Sequence, residues 1–217
     1  MKALIFDFDG VLVSSEVPRF NAIKTIAEKH NIIIADSAIK VAAGKTTLNF
    51  LKEILADEEQ KHIETLMTEF RQEYLTNIID YVQPIEFTVN FIHNYDGPFP
   101  IAIASMSSKK TIESLLEHFK ILKKVAKIVT RDEVTHHKPN PEIYLTTAND
   151  LQLQPQDCLV FEDTTVGVDA AIAADMKCCV VVNGLNDSNQ FKEKDVFAFV
   201  DSEQTIKTAI ANFSHPS

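Results

Sequence analysis

The sequence predicts an α/β fold: a doubly wound, mostly parallel Rossmann-like sheet with an all-helical module inserted into it. Two observations carry that expectation. Short unbroken apolar runs at residues 3–6, 101–104, 158–161 and 179–182, with a short strand at 126–129, alternate, after residue 84, with helical patterns. Parallel strands covered on both faces need such runs, and strand–helix alternation makes the sheet parallel. In addition, roughly 90 residues separate the first two runs, whereas a βαβ crossover needs about a dozen, so a further module lies between them.

The first run, Ala3, Leu4, Ile5, Phe6, leads directly into Asp7, Phe8, Asp9, Gly10, Val11. Two carboxylates thus stand two positions apart at the carboxyl end of a buried strand, where open α/β sheets place their ligand crevice. Asp7 and Asp9 are candidates for a nucleophile and a proton carrier.

Apolar residues then recur at Val17, Phe20, Ile23 and Ala27, and again at Ile63, Leu66, Phe70, Tyr74 and Ile78, with charged residues between. That is helical periodicity. With the stretch 46–56 it defines a helical module over residues 15–83, leaving 1–14 and 84–217 as the α/β core. The stripes read as the module's own core. Its two ends adjoin one wall of the crevice, so it is expected to act as a lid that excludes water.

Beyond Pro84 a helix over 108–119 carries Ile112, Leu115, Leu116 and Phe119 on one face, Asn140 caps a helix with Pro141 at its first position, and a helix over 164–175 precedes the last strand. Three strand ends or loops carry further chemistry. Ser105 closes the second run, and Ser107 and Ser108 open the next helix, whose N-terminal amides favour a phosphate. Lys138, fixed ahead of Pro139, can neutralise a bound anion and keep a neighbouring carboxylate ionised. Glu162 and Asp163, directly after 158–161, offer the hard oxygen ligands that suit Mg²⁺.

Composition narrows the partners. The 217 residues carry a formal net charge of −10, which repels polyanions, and no basic stripe with interleaved aromatics tracks a nucleic-acid backbone. A small anionic substrate fits, since a divalent metal and a local lysine reverse the field inside one pocket. The first apolar stretch stops at Asp7 and no run approaches the ~20 residues of a membrane span, so a cytoplasmic location without membrane contact is expected. Cys158, Cys178 and Cys179 read as buried strand thiols. His136 and His137 lack the convergent spacing of metal ligands. Gly44, Lys45, Thr46 fails the nucleotide phosphate-loop pattern; either this segment turns a loop toward the substrate or a helix simply starts at Thr46.

Taken together, Asp7-Phe8-Asp9-Gly10-Val11, Ser105, Lys138 with Pro139, and Glu162-Asp163 with Gly167 resemble the haloacid dehalogenase superfamily. The resemblance is to its phosphatases and phosphomutases with a helical cap after the first strand. It implies Asp7 as the nucleophile that takes the phosphoryl group, Asp9 as general acid and then base, and Mg²⁺ held by Asp7, Asp163 and the Asp9 backbone carbonyl, with Glu162 in or next to that set. It implies Ser105, Lys138, Ser107 and Lys109 around the phosphate, with Gly10 turning the backbone there. Lys45 is a candidate substrate contact on the cap loop. The family's mutases usually carry a histidine where Arg19 aligns and an arginine where Thr47 aligns, so hydrolysis of a sugar phosphate or similar metabolite is expected ahead of phosphomutase activity. A binding module without turnover is the alternative from another class. The chain is expected to be a monomer or a weak dimer.

Overall fold

A computed structural model describes residues 2–42, 46–184 and 186–214. The chain divides into two compact units, residues 1–13 with 84–217, and residues 14–83.

The larger unit is built on six parallel strands: Ala3–Phe6 (β1), Ile101–Ser105 (β2), Val125–Thr130 (β3), Cys158–Glu162 (β4), Lys177–Val181 (β5) and Ala198–Val200 (β6). They lie in the order β3-β2-β1-β4-β5-β6, every neighbouring pair parallel. This is a doubly wound α/β sheet, and its order reverses between β1 and β4, the switch point at which such sheets bind ligands.

All four residues of β1 are buried, and so are all five of β2 and of β4. Along β1 the side chains alternate between faces. Ala3 and Ile5 join Ala102, Ala104, Cys158 and Val160 in one core layer, under Ile143 and Tyr144 of helix Glu142–Asp150 and Val168 and Ala171 of helix Thr165–Ala173. The small residues let those helices approach closely. On the other face Phe6 stacks on Phe161, its register partner, with ring centroids 4.4 Å apart. Each large apolar side chain buried in this way contributes about 1.5–3 kcal/mol. Cys158, Cys178 and Cys179 are free thiols inside this core.

The first helix of the smaller unit, Glu16–Lys29, buries Phe20, Ile23, Ile26 and Ala27. Phe20 meets Phe50 of helix Thr47–Ile54 edge-on at 5.9 Å, and Lys29 and His30 pair with Glu73 at 2.7 Å and Glu69 at 2.8 Å. Thr46 is the cap of helix Thr47–Ile54, its Oγ1 accepting from the Asn49 amide at 3.2 Å. The apolar pattern over 58–80 folds as Ile63–Phe70, a π-turn at Arg71–Leu75 and a short helix Ile78–Tyr81, rather than as one helix. The π-turn adds a residue to the winding, and Phe70 stacks on Tyr74 at 4.9 Å across it.

Helices Glu86–Asn94 and Glu203–Ser214 and strand β6 are among the elements that add to the sequence expectation. Helix Glu142–Asp150 starts one residue later than expected, with Pro141 at its cap and the Asn140 side chain accepting from the Glu142 amide at 3.0 Å. No helix among the described residues is long and apolar enough to cross a membrane.

Candidate active site

The parallel ladder of β1 continues one residue past the strand. The Asp7 amide donates to the Phe161 carbonyl at 2.9 Å, which brings Asp7 level with the end of β4. The chain then turns back tightly: the Phe8 carbonyl accepts from Leu12 at 2.9 Å and Val13 at 3.1 Å, and the Gly10 amide donates to Val13 at 2.8 Å. Gly10 has φ +79°, and a Cβ there would lie 1.9 Å from Asp163 Oδ2, so the Asp163 carboxylate occupies the space a side chain would fill. Gly167 makes similar room for Glu162, since a Cβ at Gly167 would stand 1.8 Å from Glu162 Oε1.

Lys138 reaches into this space from its loop. Its Nζ donates to Asp7 Oδ1 at 2.7 Å and to Glu162 Oε1 at 2.6 Å, and lies 3.4 Å from the Ala104 carbonyl at the end of β2. It also stands 4.8 Å over the Tyr144 ring, whose hydroxyl donates to the same Glu162 Oε1 at 2.8 Å. Glu162 Oε2 accepts from the amides of Asp163 at 3.0 Å and Thr164 at 3.2 Å and from the Thr164 hydroxyl at 3.1 Å. Both oxygens of Glu162 are therefore already supplied with donors.

Burial pushes the Asp7 carboxyl up to about 8, against the pull of Lys138 and with added push from Glu162 and Asp9. For Glu162, burial is outweighed by the charge and hydrogen bond of Lys138 together with Tyr144 and the Thr164 backbone, which hold its carboxyl below the usual range. Lys138 is raised in the same way: burial works against its charge, but Asp7 and Glu162 overcome it. Burial first, then Glu162 and Asp7, push Asp163 well above the carboxylate range.

Asp9 faces the other way. Its Oδ2 accepts from the Ser107 hydroxyl at 2.6 Å, while the Ser107 amide donates to the Oγ of buried Ser105 at 3.1 Å. Ser108 is the true helix cap, accepting from the Thr111 amide at 3.3 Å, which leaves the Ser107 hydroxyl for Asp9. Lys109, the first residue of that helix, is exposed. Thus Asp7, Lys138, Glu162 and Asp163 gather at one point, Gly10 touches Asp163, and Asp9, Ser105 and Ser107 form an adjoining group. Lys45 lies outside the described residues. His136 is exposed and paired with Glu142.

The donor set fits a divalent cation. Asp7, Glu162 and Asp163 each offer an oxygen within 4.8 Å of the others, with the Lys138 ammonium bonded to Asp7 and Glu162. Asp163 Oδ1 is buried and has no hydrogen-bond partner among the described residues. A buried carboxylate oxygen without a donor costs free energy, and a hard cation held by one or two carboxylates satisfies it.

Three residues of this assembly are absent from the sequence expectations: Tyr144, Asn183 and Asn186. The Asn183 side-chain amide donates to the Gly10 carbonyl at 2.8 Å and to Asp163 Oδ2 at 3.0 Å. Asn186 donates to the Asp163 carbonyl at 2.9 Å and the Val181 carbonyl at 2.8 Å. Asn183 follows β5 by two residues, a strand-end position like those of Asp7 and Asp163.

Residues 4–181 match the pattern of the haloacid dehalogenase-like hydrolases. The chain belongs to that family. Among its relatives, YhcW of Bacillus subtilis (strain 168) is 32% identical over 202 residues, covering 90% of each chain. The fructose-1-phosphate phosphatase YqaB of Escherichia coli (strain K12) is 28% identical over 174 residues, covering 80% of this chain and 92% of its own. The solved structure of the haloacid dehalogenase-like hydrolase SP0104 from Streptococcus pneumoniae superimposes with a TM-score of 0.83 over 97% of this chain and 98% of that one, at 15% identity, a likeness of fold.

Proposed function

We propose that the protein is a Mg²⁺-dependent phosphatase of small phosphomonoesters, a sugar phosphate or similar metabolite, that passes the phosphoryl group through Asp7. The carrying observation is the Lys138 ammonium on Asp7 Oδ1 and Glu162 Oε1, beside the unpartnered Asp163 Oδ1. The similarity to a fructose-1-phosphate phosphatase supports the substrate class.

Asp7 is the nucleophile: one of its carboxylate oxygens attacks phosphorus while the bond from phosphorus to the leaving oxygen breaks, giving an aspartyl-phosphate. Asp9 gives its proton to that leaving oxygen, then takes one from water, and the water oxygen displaces Asp7 to release inorganic phosphate. The Ser107 hydroxyl, donating to Asp9 Oδ2, orients the Asp9 carboxyl group for this proton transfer. Lys138 and Ser105 hold the phosphate, and Glu162, with its oxygens already supplied, acts by aiming Lys138. Asp7, Asp163 and the Asp9 backbone carbonyl would hold Mg²⁺. Bound there, the ion supplies positive charge against the three carboxylates and the developing charge on the phosphoryl oxygens. Residues 84–217 with the N-terminal strand form the catalytic core, and the helical unit is assigned the role of cap.

The test is phosphate release from a panel of sugar phosphates that includes fructose 1-phosphate, with and without Mg²⁺. Release is expected to need the metal and to fall by about 10³-fold or more in Asp7→Asn. No release from any ester, or full activity in Asp7→Asn, overturns the reading. Isomerisation of a hexose 1-phosphate without release would mark a phosphomutase.

A further inference from the structure

We infer that Asn183, braced by Asn186, is a positioning residue that sets Asp163 for the divalent cation, an inference that rests on the metal reading above. The Asn183 amide group has two hydrogens, and both are committed: one to the Gly10 carbonyl at 2.8 Å, the other to Asp163 Oδ2 at 3.0 Å. Two acceptors on one nitrogen leave no doubt which end of the amide faces the site. Its carbonyl end is held in turn, since Asn183 Oδ1 accepts from the Asn186 amide at 3.3 Å. Asn186 completes the frame by donating to the Asp163 and Val181 carbonyls, fixing the backbone of Asp163 to the end of β5.

The consequence is a division of labour between the two oxygens of Asp163. Oδ2 is taken by a neutral donor, and Oδ1 is left buried with no hydrogen-bond partner among the described residues. A carboxylate whose two oxygens were both free would rotate and offer either oxygen. Here one is tethered, and the other is the ligand atom. The same nitrogen ties the loop after β1, at Gly10, to the end of β4, so the segments carrying Asp9 and Asp163 are set by one side chain on a third. Partners of this kind are worth about 10–100-fold in metal affinity in other metal sites.

The test is Mg²⁺ titration by calorimetry on the full chain, with urea unfolding of the metal-free protein beside it. Asn183→Leu keeps the branched heavy-atom skeleton, with bulkier methyl ends, and removes both the donors and the acceptor. It is expected to weaken Mg²⁺ binding by about 10-fold or more in a chain that still folds without metal, its unfolding midpoint lowered by loss of the bonds to the Gly10 carbonyl and Asp163 Oδ2. Asn186→Ala, which touches no carboxylate side chain, is expected to show a smaller loss in the same direction. Asp187→Ala is the control, because among the described residues the Asp187 side chain bonds to Asn189 on the same turn and not to the site, and it should leave affinity unchanged. Wild-type affinity in Asn183→Leu overturns the inference while the metal reading stands. If Asn183→Leu does not fold, Asn186→Ala decides by the same criterion. A wild-type chain that binds no Mg²⁺ overturns the metal reading, and this inference with it.

Discussion

Position 10 needs a residue without a side chain for two separate reasons. Its φ of +79° is in the left-handed region, and a Cβ would fall 1.9 Å from Asp163 Oδ2. Gly184 separates the two, since its φ is +82° but nothing lies within 4 Å of its Cβ position. Gly184→Ala is expected to cost only the backbone strain, about 1–3 kcal/mol, whereas Gly10→Ala adds displacement of Asp163 and should be clearly more destabilising by urea unfolding. Equal losses would mean that Asp163 does not rest on Gly10. Legibility at this scale divides by chemistry. Asp7, Asp9, Lys138 and Asp163 stood out because ionisable groups at strand ends or in a constrained loop signal reactivity by type and place. Asn183 and Asn186 are neutral amides whose significance arises only from what they bond to. Tyr144 gives no signal of its own in the sequence, because a buried aromatic is ordinary core; here it is buried against the sheet while its hydroxyl reaches Glu162.

Elements were readable wherever burial was two-sided. β1, β2 and β4 are continuous apolar runs, and the doubly wound order follows from their alternation with helices. β6 escaped because it is a three-residue edge strand with Phe199 exposed, which gives no periodic signal. The π-turn at Arg71–Leu75 escaped because Phe70, Tyr74 and Ile78 keep a spacing of four that an unbroken helix would also show. The Lys138 loop carries a further element-scale expectation. Glu142 at the start of its helix accepts from the amides of Thr135 at 2.7 Å and His136 at 2.8 Å, and these bonds hold its carboxyl below the ordinary 4.5. A folded value below the unfolded one gives stability that is complete above the ordinary value and is lost as pH falls through the lowered one. Glu142→Ala should therefore be less stable than wild type at neutral pH, with the gap closing below about pH 4. The variant should also raise KM more than it lowers kcat, because it loosens the segment that aims Lys138. A gap that persists in acid would assign the effect to the helix start instead of the charged acceptor.

At the scale of the molecule, the site is assembled from segments far apart in the chain, ending at Asp7, Lys138, Glu162 and Asp163. The parallel register makes their meeting possible: Phe6 pairs with Ile103 on one side and Phe161 on the other, so β1 delivers Asp7 between the ends of its neighbours. That register could be anticipated from topology, but the distances could not. Because Lys138 pairs with Asp7 and Glu162 while Asp163 stands beside them with no cationic side chain among the described residues bonded to it, a divalent cation that binds the folded state alone should stabilise the whole unit by mass action. At a Mg²⁺ concentration 100-fold above its Kd the gain is about 2.7 kcal/mol, read as a rise in the urea midpoint that is absent in Asp163→Ala. A wild-type midpoint indifferent to Mg²⁺ would count against the donor set.

The most direct measurement is of the covalent intermediate. Protein mixed with a turned-over sugar phosphate and Mg²⁺, quenched in acid within a turnover and digested, should carry one phosphoryl group on Asp7, located by mass spectrometry and discharged by hydroxylamine. The Asp7→Asn chain should carry none. Phosphate release that proceeds with no label on the peptide containing Asp7, or label on another residue, would contradict the assignment of Asp7 as nucleophile.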